Sequence, residues 1–255
     1  MDKPYVLKET DDYAVVFKPA KMHCTYTKPK TGDASDIENI TLHEWFIQKC
    51  PCVFDIMHRL DYETNGLVLF AKSEKSYYFF KTAQDKNEFV KEYSAVCIKS
   101  NDTFLEGFPQ NENYNCAKET LLIAGSFPLM IESYFRPFGP GRKQVRPVIE
   151  DGKKHKEIAS DKGGFYQSEI INIEEMKSSD QFKFTVRIKR GFRHQIRCHL
   201  CWIGFPILGD PLYSCSSTNV LSLRSHALFF PEPSNGKRAE YRIDAITEEI
   251  PLQDR

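Results

Sequence analysis

The segment His58-Arg59-Leu60-Asp61-Tyr62-Glu63-Thr64-Asn65-Gly66 sets an arginine and an aspartate two residues apart in a polar turn. Asp, Thr, Asn and Gly then feed the apolar run 67–70, the pattern of a loop that opens a buried strand. A carboxylate anchored to such a strand is held by a rigid element, which suits a nucleophile or a general base. The same residues would equally serve as a structural ion pair capping the strand.

A second chemistry-bearing segment runs from 181 to 200. It holds six Lys or Arg (183, 187, 189, 190, 193 and 197), two histidines (194 and 199) and no acid. A charge run is ordinarily a solvated face. Twenty acid-free residues in a chain of zero net charge can also supply phosphate contacts. Arg136, Arg142, Lys143, Arg146, Lys153, Lys154 and Lys156 form a more diluted basic stretch, and Asp244, Glu248, Glu249 and Asp254 make the last dozen residues acidic. Overall neutrality argues against a simple basic nucleic-acid-binding domain, so the distribution of charge matters more than its sum.

Eight cysteines occur at 24, 50, 52, 97, 116, 198, 201 and 215. No apolar h-region follows Met1-Asp2-Lys3-Pro4, and no run of 18 apolar residues exists, so a soluble cytoplasmic chain with reduced thiols and no membrane partner is expected. Two cysteine pairs, Cys50-Pro51-Cys52 and Cys198-His199-Leu200-Cys201, lie 146 residues apart in sequence, and the first has C-x-C spacing. A structural zinc site usually shows two properly spaced pairs. No metal is expected.

The elements that must position these groups are mostly strands. Residues 13–18 form a β-branched apolar strand ending at Pro19, and Thr41-Leu42-His43-Glu44 is a capping box opening a short helix with Trp45, Phe46 and Ile47. Ser73 can cap a helix to about Lys86. Residues 89–98 read as a strand whose odd members, Lys91 and Tyr93 among them, share one face. Residues 101–118 read as a loop or insertion, and 126–147 as irregular. A strand spans 168–176. Strict alternation over 182–189 gives a strand with Lys183, Arg187 and Lys189 on its polar face. A helix over 194–203 would carry Arg193 and Arg197 on one face near its start. Further strands fit 226–230 and 239–245. The pattern predicts an α+β fold, a mixed, largely antiparallel sheet with few helices.

Three groups of residues carry a resemblance. His58-Arg59-Leu60-Asp61 with Thr64 and Gly66-Leu67, then His194-Gln195-Ile196-Arg197-Cys198-His199-Leu200, then Gly204-Phe205-Pro206-Ile207-Leu208-Gly209-Asp210 with Tyr213, resemble the RluA-type pseudouridine synthases. Lys18-Pro19-Ala20, Lys91-Glu92-Tyr93 and the segment 224–227 are similar more weakly. Departures are Lys21 and Phe192 in place of usual glycine and arginine, Asn65 in place of a small residue, and Ser225 in place of leucine. The resemblance implies one catalytic domain over 1–255, with a motif-bearing core of 10–230 and no S4 module.

It further implies an isomerase, an intramolecular transferase, that converts a specific uridine of ribosomal or transfer RNA to pseudouridine without cofactor. RNA is the implied partner, with no obligate protein partner evident. Breaking the C1′–N1 bond and rejoining the sugar to C5 needs a carboxylate as nucleophile or base. The resemblance gives Asp61 that role and Arg197 the role of pairing with it. Tyr93 is expected to stack on the uracil and assist C5 deprotonation. Arg59 is expected to contact RNA where the target nucleotide has left the stack. Lys91, Lys183, Arg187, Lys189 and Arg193 complete the expected RNA contacts. The alternatives are a catalytically altered RNA-binding protein of the same fold, and a carboxylate glycosidase using Asp55 or Glu63 as second acid. The glycosidase leaves the basic 183–197 segment unexplained.

Overall fold

Thr41 and Ser73 start the first two helices through purely local chemistry. Thr41 Oγ1 accepts from Glu44 N at 3.2 Å while Glu44 Oε2 accepts from Thr41 N at 2.8 Å. Ser73 and Ser76 make the same reciprocal pair, each at 3.1 Å. Both satisfy orphan first-turn N–H groups. The computed structural model describes residues 2–25, 40–99, 107–109, 128–149, 165–177, 180–214 and 220–246.

In chain order the elements are β1 (Tyr5–Glu9), β2 (Tyr13–Lys18), α1 (Leu42–Lys49), β3 (Asp55–Ile56), β4 (Asn65–Ala71), α2 (Glu74–Asp85), β5 (Val90–Ile98), β6 (Leu129–Phe138), β7 (Gln144–Val148), β8 (Tyr166–Glu175), β9 (Gln181–Ile188), α3 (Gln195–Trp202), β10 (Leu223–Pro231) and β11 (Arg238–Arg242). Three α-helices among the described residues and a predominance of antiparallel strand pairs give the expected mixed α+β class. The chain divides into two units, Met1–Lys91 with Arg224–Ala245, and Glu92–Leu223 with Ile246–Arg255.

In the first unit β1, β2 and β4 pair antiparallel in that order, β4 pairs parallel with β10, β11 runs antiparallel to β10, and β3 adds to β4. Alternate residues of these strands bury one face: Tyr13 and Val15, Leu67, Leu69 and Ala71, Leu228 and Phe230. Phe80 of α2 packs there, edge to face against Tyr13 at 5.8 Å and Phe230 at 5.4 Å.

The second unit orders its strands β5-β9-β8-β6-β7. Its aromatic core joins Phe135, Val145, Tyr166, Cys198 and Tyr213, with Phe192 stacked 5.0 Å from Phe135.

Three expectations need correction. Residues 129–148 form a β-hairpin, β6 and β7, where irregular chain was expected. Ile131, Ser133 and Phe135 alternate into the core, and Gly139-Pro140-Gly141 makes the turn. Pro147 is tolerated because β7 is the last strand of its order. The helix after β9 spans 195–202, not 194–203. His194 takes a left-handed conformation with φ 57°, so Arg193 lies in the preceding turn and shares no helical face with Arg197. Strands β1 and β3 were not expected. The expected loop at 101–118 lies outside the described residues apart from 107–109, as do Lys153, Lys154, Lys156, Glu248, Glu249 and Asp254.

Candidate active site

Asp61 stands half-buried between two residues that are each tied to the segment 18–24. On its N-terminal side Leu60 exchanges bonds with Cys24: Leu60 N donates to Sγ at 3.2 Å, and Sγ donates to Leu60 O at 3.5 Å. On its C-terminal side the Tyr62 carbonyl accepts from Lys21 N at 2.8 Å and from Lys18 Nζ at 3.3 Å. Thr64 N closes the turn onto Asp61 O at 3.1 Å. The His23 ring packs 4.6 Å from Tyr62. The Asp61 backbone is thereby held from both neighbours.

Lys18 is fully buried at the end of β2, and its ammonium also donates to Pro19 O at 2.9 Å and Met22 O at 2.8 Å. Burial draws it down to about 8, and the opposing charges of Cys24, Asp61 and Glu63 act against that shift. Burial likewise pushes the Cys24 thiol up. Lys21, one of the departures from the family pattern, sits at φ 59°, the left-handed region that a glycine would enter without strain.

The strand that carries the loop is fixed at its first residues. Gly66 has φ 126°, and a Cβ there would lie 2.2 Å from Ser225 O, so β4 and β10 approach closely only because no side chain intervenes. Asn65 Oδ1 accepts from Arg224 Nε at 2.7 Å, and Ser225 Oγ donates to Leu67 O at 3.3 Å, so both departures form cross-strand bonds. His58 Nε2 accepts from Leu69 N at 3.2 Å. Burial, then the Lys91 charge, lowers that imidazole well below its ordinary range. Arg59 is exposed on the same loop. Lys91 is buried with Nζ 5.3 Å from the Phe89 ring; burial, then Lys81, draws its ammonium to about 8.

In the second unit Arg197 is 3% exposed and forks onto Asp210, Nε to Oδ2 at 2.7 Å and Nη2 to Oδ1 at 2.8 Å. Asp210 Oδ1 also accepts from Leu212 N at 2.9 Å and Tyr213 N at 3.1 Å. The guanidinium lies 5.4 Å from the Tyr213 ring. Two residues on, His199 is held between Ser133 Oγ at 2.9 Å and Ser168 Oγ at 2.8 Å, and burial lowers it to about 3, so it is a neutral core residue.

Tyr93 is buried in β5. The polar face of β9 meets carboxylates from neighbouring strands. Lys183 Nζ lies 2.6 Å from Glu174 Oε2, and Arg187 Nε lies 2.8 Å from Glu92 Oε2, beside Tyr93 in sequence. Lys189 is exposed just past the strand. Arg193 Nη2 donates to Arg142 O at 2.7 Å and Gln144 O at 3.2 Å, which ties it to the β6–β7 hairpin. Arg59 and Asp61 thus share a loop and Lys91 belongs to the same unit, whereas Tyr93, Lys183, Arg187, Lys189, Arg193 and Arg197 belong to the other. Sequence reasoning gave no role to Lys18, Cys24 or Asp210, although Lys18-Pro19-Ala20 and Gly209-Asp210 were already visible as motifs. No cluster of three or more His, Cys, Asp or Glu able to hold a metal occurs among the described residues.

Comparison with known proteins gives this geometry a family. The family model described as RNA pseudouridylate synthase matches residues 12–202. An uncharacterized Caenorhabditis elegans protein, K07E8.7, is 26% identical over 253 residues, covering 96% of this chain and 44% of that protein. Ribosomal large subunit pseudouridine synthase D of Buchnera aphidicola subsp. Schizaphis graminum is 28% identical over 165 residues, 62% of this chain and 38% of its own length. The chain thus spans less than half the length of either. Human RNA Pseudouridylate Synthase Domain Containing 1 has the same fold, with TM-score 0.64 at 16% identity over 95% of this chain and 83% of that one. Human RNA Pseudouridylate Synthase Domain Containing 4 follows at TM-score 0.58 and 14% identity, covering 94% and 88%. The matched region includes Asp61, Tyr93 and Arg197, and the chain belongs to the RNA pseudouridylate synthase family, among its RluA-type members.

Proposed function

We propose that this chain isomerises a specific uridine in ribosomal or transfer RNA to pseudouridine, acting as one catalytic domain in the cytoplasm. Asp61 supplies the carboxylate, as nucleophile or as the base that starts elimination. The C1′–N1 bond breaks, the uracil turns, C1′–C5 forms, and the C5 proton leaves as N1 regains one. Nothing is oxidised or reduced, so no cofactor is called for.

In this reading Arg197 pairs with Asp61 and fixes the orientation of its carboxylate. A guanidinium carries five N–H donors, so one side chain can serve both Asp210 and Asp61. Tyr93 stacks on the extruded uracil and assists loss of the C5 proton. Arg59, Lys91, Lys183, Arg187, Lys189 and Arg193 hold the RNA.

The observation that supports this most is the clamp on Asp61, with Leu60 bonded to Cys24 and Tyr62 bonded to Lys18 and Lys21. A nucleophile must be held within fractions of an ångström of its productive position. The test is Asp61→Asn, close in size but unable to attack or take a proton. Pseudouridine mapping of RNA incubated with the pure variant should find none while the fold and RNA binding persist. Product formed by a sample checked for deamidation would end the assignment.

A further inference from the structure

Away from Asp61, the first unit holds two thiols in direct contact. Cys50 is the C-cap of α1, and Val53 N donates to Cys50 O at 3.1 Å, closing a tight turn with Pro51 at its second position. The turn folds the chain back so that Cys50 Sγ and Cys52 Sγ lie 3.0 Å apart. Cys50 is buried and Cys52 exposed. Cys50 Sγ also donates to Glu9 Oε1 at 3.6 Å, and Glu9 holds Lys72 Nζ at 2.8 Å, so an ammonium stands beside the pair.

We propose that Cys50 and Cys52 form a reversible redox site that is oxidised to an intramolecular disulfide by low-molecular-weight disulfides. The exposed Cys52 thiolate attacks one sulfur of the disulfide RSSR, forming a mixed disulfide and releasing RS⁻. Cys50 gives up its proton, attacks Cys52 Sγ, and expels the second RS⁻. Two thiols and one RSSR thereby become one protein disulfide and two RSH.

The order of attack follows from the surroundings. Cys52 is exposed and is the sulfur that a disulfide in solution meets first, whereas Cys50 is buried behind it. Cys50, pushed up to about 11 mainly by burial and then by its bond to Cys52, is the poorer first nucleophile and the resolving thiol. An exposed disulfide in so small a ring is the labile, reducible kind rather than a structural staple.

The test equilibrates the full chain in reduced and oxidised glutathione mixtures, then alkylates it in denaturant and maps cysteines by mass spectrometry. The peptide with Cys50 and Cys52 should lose two hydrogens as the oxidised fraction rises, while buried Cys97 and Cys198 stay alkylated. Cys50→Ser should trap glutathione on Cys52, and Cys52→Ser should leave Cys50 unmodified. Full alkylation of both thiols at every ratio would overturn the proposal. So would a glutathione adduct on wild-type Cys52 that persists as in Cys50→Ser, or pairing of Cys52 with any other cysteine.

Discussion

Arg197 and Asp210 form a two-point ion pair with relative exposures of 3% and 0%. Breaking such a buried pair leaves a charge without compensation, which costs about 3–5 kcal/mol. Asp210→Asn and Arg197→Met should each destabilise by that order in denaturant unfolding. The double variant should cost less than the two added together, by about 1–3 kcal/mol. Strict additivity would show that the pair contributes no coupling.

Lys21→Gly is expected to stabilise. A non-glycine residue in the left-handed region costs about 1–2 kcal/mol, and the added freedom of glycine in the unfolded chain returns about 0.5–1 kcal/mol of that gain. The net effect is a rise of up to about 1.5 kcal/mol in unfolding free energy. Lys21→Val should lower it instead. A loss of stability with glycine would mean that the Lys21 side chain matters more than its backbone.

Gly66→Ala should be severe. Its Cβ would meet backbone atoms of Ser225 at 2.2, 2.6 and 2.8 Å, which cannot move aside as a side-chain tip could. A cost of about 3 kcal/mol or more is expected. Thermal unfolding of the variant near the wild-type midpoint would contradict the close approach of β4 and β10.

Lys18 makes stability depend on pH. Its folded value of about 8 lies below the ordinary 10.5, so between those limits the unfolded chain binds more protons and stability rises with pH. Lys91, also drawn to about 8, adds to the same slope. Lys18→Met should flatten part of this rise, measured by denaturation at a series of pH values. An identical pH slope in the variant would place the Lys18 proton elsewhere.

RNA binding should depend on salt despite the zero net charge. Replacing Lys183, Arg187 and Lys189 with Ala should weaken binding and reduce the log–log salt slope by about one for each phosphate no longer neutralised. An unchanged slope would assign the RNA to the cations around the β6–β7 hairpin, Arg136, Arg142 and Lys143.

What the sequence made legible was mainly local. The capping box at Thr41, the cap at Ser73, the apolar strand 13–18 and the alternation of β9 are set within a few residues, and the structure has each of them. Proline and glycine hid the hairpin 129–148, because their effect there depends on an edge position that only strand order reveals. The Asp61 motif stood out as a motif. The partners of the charged residues did not: Glu174 and Glu92 reach β9 from neighbouring strands, and Asp210 meets Arg197 across a loop. An acid-free stretch of sequence is therefore not an acid-free surface.

The ties that hold Leu60 and Tyr62 join residues 36 and 44 positions apart. Neither half of the clamp exists until the end of β2 and the turn before β4 have met. Closing a loop of that length is entropically costly and comes after local helices have formed. In a refolding experiment, helical signal should return well before turnover does. A chain interrupted between Cys24 and Thr41 would retain every residue of the clamp, yet would depend on reassociation of its two pieces to regain an aligned carboxylate.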